Sequence, residues 1–448
     1  MTYFCRALAL VLLVPSLCSA NELSRIYQLA VKNDTQLQAA EGARDAVLAG
    51  KPRARGALLP QVNGTAFVET GRTKSEVAPN PEEDADTDGK DFRLTLRQPL
   101  FDAAAWNRWQ QADAQGAAAW ATYRLAEQGL ALRVTDAYFG VLAAADNVRF
   151  ADAEKKAVER SLELAKKRFE VGLSAITDVQ EAQARYDLTV AQMIEAEQAL
   201  STAQAVLSEI TGAADARVTP LKDEIPLLGP NPDSVNDWLK SASEKSLEIR
   251  LASALVRAAR EDVDANRAGH FPTLNLVGTK ALGESSNAFP SGTAIQEYDA
   301  LRYGLELNVP IFAGGSTQAG VSAAQGVLEQ RRAELEGKKR QVERSTRTAY
   351  QGVIAGVSRV RALKQAVLSN ATALEASEVG LEVGARTAVD VLNAQRELFR
   401  AQRDYSKSRY DYLLNILKLK QASGQLGAKD LNEIDALLGT QQGSAVAG

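Results

Sequence analysis

The chain has very few of the side chains that carry redox, metal and acid–base chemistry. Its 448 residues include two cysteines and one histidine. Both cysteines, Cys5 and Cys18, lie near the amino terminus. If that segment is removed, the remaining chain can form neither a disulfide nor a thiolate metal site. His270 stands just before Phe271 and Pro272, a position typical of a helix end rather than of a ligand or catalytic base.

The first segment, residues 1–20, has the pattern of a secretory signal peptide. It carries one positive charge at Arg6, an apolar run that ends at Val14, and the small residues Ser19 and Ala20 before the expected cleavage point. The mature chain is therefore predicted to begin at Asn21. The alternative is a lipoprotein modified at Cys18, although Leu17 is bulkier than the residue usually found before such a cysteine.

An excess of positive charge is also missing. Loss of Arg6 reduces the 52 basic residues to 51, against 56 acidic ones, which gives a formal charge of −5. Nucleic-acid-binding proteins are usually basic, so no nucleic-acid partner is expected. After the signal, no apolar run approaches the ~20 residues of a transmembrane helix. If the chain spans a membrane, it must use strands.

Sequence motifs for catalysis and cofactor binding are absent too. The chain contains no G-x-S-x-G, no phosphate-binding glycine loop, no cluster of metal ligands and no cysteine–histidine pair. We therefore predict that the protein is not an enzyme and holds no cofactor or metal.

What the sequence does contain is an internal repeat, because residues 212 positions apart keep matching. The matches include Ala137-Tyr138 with Ala349-Tyr350, Gly212 with Gly424, and Asp178-Val179 with Asp390-Val391. A register kept over this length indicates a duplicated structural unit. We predict one copy over 21–212 and a second over 235–424, separated by a strap over 213–234 and followed by a tail over 425–448 that packs near the strap.

Each copy is predicted to contain a helix, a β-hairpin, a very long helix and a shorter return helix. Period-2 alternation marks the strands, and a lack of proline marks the long helices, each about 100 Å long at ~1.5 Å per residue. A polar loop over Arg72–Asp91 and a Gly/Ser/Asn-rich loop over 284–300 are expected at the hairpin ends. The predicted ranges are helix 21–59, hairpin 60–101, long helix 103–171 and return helix 176–211, then helix 235–271, hairpin 272–312, long helix 316–383 and return helix 388–423.

Both return helices carry a seven-residue pattern with one large and one small row, which suits close helix pairing. An ordinary antiparallel helical hairpin explains that pattern as well as a tube does. The strands are more restrictive, because four strands cannot close a barrel and lipid tolerates no open sheet edge. Membrane barrels begin at eight strands, so two copies would just close around a filled interior, whereas three copies would give twelve strands and a lumen.

Three segments make the chain resemble the TolC family of outer-membrane export channels. They are Phe169-Glu-Val-Gly-Leu-Ser-Ala-Ile-Thr-Asp-Val-Gln180, Pro310-Ile-Phe-Ala-Gly-Gly315 and Gly384-Ala-Arg-Thr-Ala-Val-Asp-Val-Leu392. The resemblance implies an α+β membrane protein with a two-repeat protomer. It also implies a homotrimer with a twelve-stranded outer-membrane β-barrel, continuous with a periplasmic α-helical barrel.

The resemblance further implies a passive exit duct in the outer membrane of a Gram-negative bacterium. Its partners would be outer-membrane lipid, a periplasmic adaptor and an inner-membrane transporter of the ABC, RND or MFS class. The cargo would be small molecules in multidrug efflux, proteins in type I secretion, or both. The alternative is a periplasmic coiled-coil adaptor or scaffold, which would have no use for two amphipathic hairpins.

The resemblance also assigns a latch at the periplasmic mouth to Arg386, with Thr177 and Asp178 as its partners. An arginine–carboxylate link is directional, so it can select one arrangement without adding much stability. A different interpretation is that Thr177 and Asp178 only favour the first turn of a helix. A tyrosine that joins this network in the family is Leu381 in this chain.

Asp390 matches the family's constriction ring, where carboxylates line the narrowest point of the mouth. The second acidic ring position is Asn393 here, so the resemblance implies a less negative mouth. Asp390 also has a structural interpretation, because Thr387 precedes it by three residues, as in a helix capping box.

Overall fold

The computed structural model describes residues 22–75, 83–213, 218–289 and 292–439. The predicted signal peptide and the residues after 439 lie outside these ranges. Within the described ranges, no helix is both long and apolar enough to cross a membrane. The elements are α1 (Glu22–Asn33), α2 (Thr35–Leu48), α3 (Gly50–Gly56), β1 (Gln61–Ser75), β2 (Glu83–Phe101), α4 (Ala103–Glu170), α5 (Ile176–Thr211), α6 (Val235–Lys245), α7 (Leu247–Arg267), β3 (Thr273–Phe289), β4 (Gly292–Asn308), α8 (Ser316–Glu382), α9 (Ala388–Ala422) and α10 (Ala428–Asp435).

The chain divides into two compact units. The sheet unit comprises the described residues within Ala39–Ala126 and Ser243–Arg344, and the tip unit comprises those within Met1–Gln38, Glu127–Ala242 and Ser345–Gly448. Each unit takes segments from both sequence repeats. The long helices α4 and α8 run through both units, so the units do not coincide with the repeats.

The sheet unit holds one antiparallel sheet in the order β1-β2-β3-β4, and β2 pairs with β3 to join the two hairpins. Residues opposite one another share a face, since side chains alternate along each strand. One face has an apolar band that crosses all four strands: its members include Val62, Ala66, Phe92, Leu94, Leu96, Leu276, Leu282, Leu301, Tyr303, Leu305 and Leu307. Lys90, Glu284 and Glu297 lie on the same face nearer the hairpin ends. Lys280 also lies on this face, where it forms an ion pair with Asp299.

The strands are longer than predicted. The prediction of a loop over Arg72–Asp91 is wrong at both ends, because β1 continues to Ser75 and β2 begins at Glu83. Residues 76–82 lie outside the described ranges. The second expected loop, 284–300, is largely strand as well. Ladder hydrogen bonds join backbone groups, so pairing continues where the apolar alternation has ended. Conversely, β4 stops at Asn308, before Pro310, although the hairpin was expected to reach 312.

Two helices predicted as continuous are broken. The first breaks at Asp34, whose carboxylate accepts the Leu37 N–H at 2.7 Å and so caps α2, and again at Ala49, before α3. The second breaks at Ser246, which lies 212 residues after Asp34 and is the N-cap residue of α7. The long and return helices agree with their predicted bounds to within one residue.

The tip unit joins the two ends of the described chain. The buried Asp435 carboxylate accepts the Leu23 N–H at 2.7 Å and the Ser24 N–H at 3.0 Å. These N–H groups begin α1 and have no partner within that helix. A carboxylate from α10 therefore caps α1.

Repeat-equivalent tyrosines hold the two ends of the strap. The buried Tyr138 hydroxyl donates to the Thr219 carbonyl at 3.0 Å, and the Tyr350 hydroxyl donates to Asp233 at 2.8 Å. The tail packs on the same segment, because the Lys222 N–H donates to the Leu437 carbonyl at 3.1 Å. The described part of the tail thus contacts the strap as far as Gly439, whose N–H donates to the Pro220 carbonyl at 2.8 Å.

Candidate functional site: the tips of the two helical hairpins

Each long helix reverses into its return helix through a glycine in the left-handed region. The first tip, residues 171–175, has Gly172 at φ +75°, and the second tip, residues 383–387, has Gly384 at φ +74°. Glycine adopts this conformation without the steric cost that a Cβ atom brings. The Leu173 and Ala385 N–H groups then close the outgoing helices by bonding carbonyls five residues earlier, at 2.7 and 2.8 Å. The two repeats therefore build the same sharp turn.

The two return helices begin differently, although their turns match. At the start of α9, the Thr387 N–H and hydroxyl both donate to the Asp390 carboxylate at 2.9 Å, and the Asp390 N–H donates to Thr387 Oγ1 at 3.2 Å. This is a complete capping box. At the start of α5 the equivalent residue is Ala175, which offers no side-chain cap to Asp178.

The capping box lowers the pKa of Asp390. The Thr387 N–H and then the Thr387 hydroxyl stabilise the carboxylate, and the positive charge of Arg386 adds to the effect. Hydrogen bonds to the charged form favour that form, so Asp390 remains ionised in more acidic solution than an ordinary aspartate.

We expect Thr387→Val to move the loss of Asp390 charge to higher pH. The substitution removes one donor to the carboxylate, so the pKa of Asp390 rises towards the ordinary value of about 3.9. The measurement is block of channel current by a divalent cation, titrated from neutral to acidic pH. Thr202→Val is the matched control, because its hydroxyl bonds only the Gln198 carbonyl in α5. Identical titrations for Thr387→Val and the native protein would contradict this assignment.

Arg386 is exposed and lies against a glycine of the preceding helix. Its N–H donates to the Gly380 carbonyl at 3.0 Å. A Cβ atom added at Gly380 would lie 2.6 Å from Arg386 Cγ, closer than two carbons can approach. Gly380 thus leaves room for the arginine side chain to cross the end of α8, a role that the sequence patterns did not reveal.

We expect Gly380→Ala to displace Arg386 while leaving α8 at least as stable. Alanine is favoured over glycine inside a helix by about 1 kcal/mol, so a loss of latch function could not come from helix unfolding. Single-channel conductance should rise, as it should after loss of Arg386 itself. Gly337→Ala is the control, since a Cβ there meets no atom within 4 Å. A closed-state conductance equal to that of the control would show that the position of Arg386 does not matter.

The other assigned residues lie near the same end of the tip unit. Thr177 and Asn393 are exposed, and Asp178 is half-buried in the first turn of α5. In the described part of the protomer, no hydrogen bond or ion pair joins Arg386 to Thr177 or Asp178. Within one protomer, the positive charge of Arg386 therefore acts on the Asp390 carboxylate. The predicted link from Arg386 to Thr177 and Asp178 is not made there.

An apolar cluster packs α4 against the first turns of both return helices. Val158, Leu162 and Ala165 follow one face of α4 and pack with Ala182 of α5 and Leu392 of α9. The i, i+4, i+7 spacing on α4 is the sequence signal that could have revealed this face. Nearer the turns, Arg168 Nη2 approaches the Leu381 carbonyl at 3.4 Å, which links the two repeats through the backbone of Leu381.

A family model described as outer membrane efflux protein matches the chain twice, over residues 26–213 and 238–425. The two matches begin 212 residues apart, which is the spacing of the internal repeat. The solved structure of the outer membrane protein VceC from Vibrio cholerae superposes with a TM-score of 0.76 and 19% identity, covering 91% of this chain and 98% of that one. That likeness supports the fold.

Sequence relatives agree. The chain is 37% identical over 417 residues to the outer membrane protein TolC of Vibrio cholerae serotype O1, covering 93% of this chain and 94% of that protein. It is 32% identical to the alkaline protease secretion protein AprF of Pseudomonas aeruginosa, covering 92% and 86%. The periplasmic adaptor alternative finds no support in these matches. The resemblance inferred from the sequence is confirmed, and the chain belongs to the outer membrane efflux protein family.

Proposed function

We propose that three copies of this chain close into one exit duct, with their sheets forming a twelve-stranded barrel. The observation that carries the proposal is the sheet itself. It has an apolar band across all four strands, and in the described part of the chain its outer strands, β1 and β4, pair on one side only. Unpaired backbone groups cost several kcal/mol each in lipid, so the sheet needs partner strands. Three copies supply twelve strands and a lumen wide enough for cargo.

Membership of the family makes the chain an outer-membrane exit duct of a Gram-negative bacterium. We propose that it catalyses no reaction and that a periplasmic adaptor and an inner-membrane transporter open it and load its cargo. Relatives are named both for efflux and for protease secretion. The proposed cargo is therefore small molecules, secreted proteins or both.

We further propose that the latch is made between protomers. Arg386 is exposed and has no partner at Thr177 or Asp178 in its own chain, whereas a neighbouring protomer would present a second copy of α5. Asp390 would then line the constriction, with a carboxylate from each of the three copies. Asn393, one turn further along α9, would leave the second ring uncharged.

The experiment is to express the full chain, extract it from outer membranes and determine its mass in detergent. A trimer that forms ion-conducting pores in planar bilayers is the expected result. A monomer in the soluble periplasmic fraction would overturn the proposal. The conductance of the native chain is also the reference value for that of every variant.

A further inference from the structure

Glu154 is a buried carboxylate that binds both return helices. It lies on α4 with 1% of its surface exposed. Its Oε1 accepts from Arg185 Nη2 of α5 at 3.1 Å, and its Oε2 accepts from Arg403 Nη1 of α9 at 3.0 Å. One arginine comes from each sequence repeat, so a single carboxylate joins the first and second copies to the same long helix.

The surroundings make this contact hard to break. Glu154 lies one turn before Val158, the first α4 residue of the apolar cluster that supports the tips. The arginine side chains keep 16% and 29% of their surface exposed, whereas the glutamate side chain keeps 2%. A carboxylate removed from water needs paired donors, and loss of one partner leaves a buried charge uncompensated. Each carboxylate oxygen of Glu154 therefore pairs with an arginine of a different return helix, and neither pair can be lost without a large cost.

The position of this contact matters for the mouth. Arg403 follows Asp390 by 13 residues, which is about 20 Å along α9 at ~1.5 Å per residue. Arg185 follows Asp178 by seven residues, or about 10 Å along α5. If either helix moved away from α4 at this point, its tip would move with it. The contact therefore holds both return helices against α4 close to the tips.

We propose that Glu154 is a positioning residue, which holds α5 and α9 together on α4 and keeps the mouth closed at rest. The two helices cannot separate without leaving one arginine unpaired, so they move as a pair. The expected effect on conductance rests on the proposed function, because it requires that the protein form a channel. The effect of Glu154 on the positions of α5 and α9 can be measured without any channel activity.

The test compares Glu154→Gln with the triple variant Glu154→Gln, Arg185→Gln, Arg403→Gln in the full-length protein. The single variant leaves two arginines facing an uncharged amide, so they repel each other and the return helices separate. The triple variant removes that repulsion and leaves three amides able to bond one another. Glu159→Gln, an exposed acidic residue of the same helix, is the control.

Hydrogen exchange is the first measurement. In Glu154→Gln we expect backbone amides of 176–185 and 388–403 to exchange about tenfold faster, with α1 and α10 unchanged, and the triple variant to return towards the native rates. Faster exchange throughout the chain would indicate a merely structural role and overturn the proposal. Native exchange at both tips in Glu154→Gln, or a triple variant as open as the single one, would overturn it too.

Conductance in planar bilayers is the second measurement. We expect Glu154→Gln to raise closed-state conductance severalfold and the triple variant to restore it. If the native protein forms no pores, the proposed function fails, while the exchange rates still decide whether Glu154 positions the tips. If pores form and Glu154→Gln conducts like the native protein, the positioning proposal alone fails.

Discussion

Replacing Arg386 by serine is expected to raise the resting conductance of the channel by shifting the mouth towards its open state. An exposed arginine–carboxylate link contributes about 0.2–1 kcal/mol, so loss of one link from each of the three proposed copies shifts the closed–open equilibrium by roughly threefold to 100-fold. Arg386 is exposed at the second tip. Its N–H donates to the Gly380 carbonyl, and its side chain occupies the space that a Cβ atom at Gly380 would fill. Serine retains the backbone bond and removes the guanidinium group.

Single-channel recording and sensitivity to a large antibiotic are the measurements, since an open mouth lets such compounds leak inwards. Arg400→Ser is the matched control, because Arg400 is exposed on the same helix and, among the described residues, forms an ion pair with Glu397 at 3.8 Å. The control removes the same charge away from the tips. Equal conductance and equal leak in the two variants would refute the latch.

Asp390→Asn should weaken block of the channel by divalent cations at least about tenfold. In the proposed trimer a divalent ion would face one Asp390 carboxylate from each copy, and the amide substitution removes all three negative charges at once. Asparagine removes the charge and keeps an oxygen that can accept from the Thr387 N–H, which now donates to Asp390 at 2.9 Å. An Asp390→Ala substitution would remove the carboxylate's charge and the cap of α9 together, so the two effects could not be separated.

The opposite substitution sharpens this test. Asn393→Asp adds a carboxylate one turn along α9 from Asp390, at an exposed position, and should strengthen block. Block measured against divalent concentration in planar bilayers should therefore rank Asn393→Asp above the native protein and Asp390→Asn below it. Unaltered block in both variants would show that neither residue lines the constriction.

The helical framework was predictable from the sequence because its signals are local. A long segment without proline, closed by glycine at residues 172 and 384, specifies a helix and its end without reference to the rest of the chain. The limits of the strands were not predictable in this way. Apolar alternation shows only where one face is buried, whereas the β-ladder continues through polar residues such as Asp86 and Asn287.

The supporting contacts of the site were less predictable still. Gly380 and Arg386 belong to one tip, yet nothing in their spacing indicates that a Cβ would collide with the arginine. Glu154, Arg185 and Arg403 lie on three helices and come from both repeats, so their meeting depends on tertiary packing. The capping box of Thr387 and Asp390 was considered from sequence because its spacing is fixed by the helix itself.

The cap that Asp435 provides to α1 has a consequence for biogenesis. The carboxylate lies 412 residues after the N–H of Leu23 that it accepts. A chain that crosses the inner membrane amino end first delivers α1 to the periplasm without its cap, which follows only 412 residues later. The native start of α1 therefore depends on a segment that is exported long after the helix itself. A chain truncated before residue 435 would accordingly leave the Leu23 and Ser24 N–H groups without their carboxylate cap.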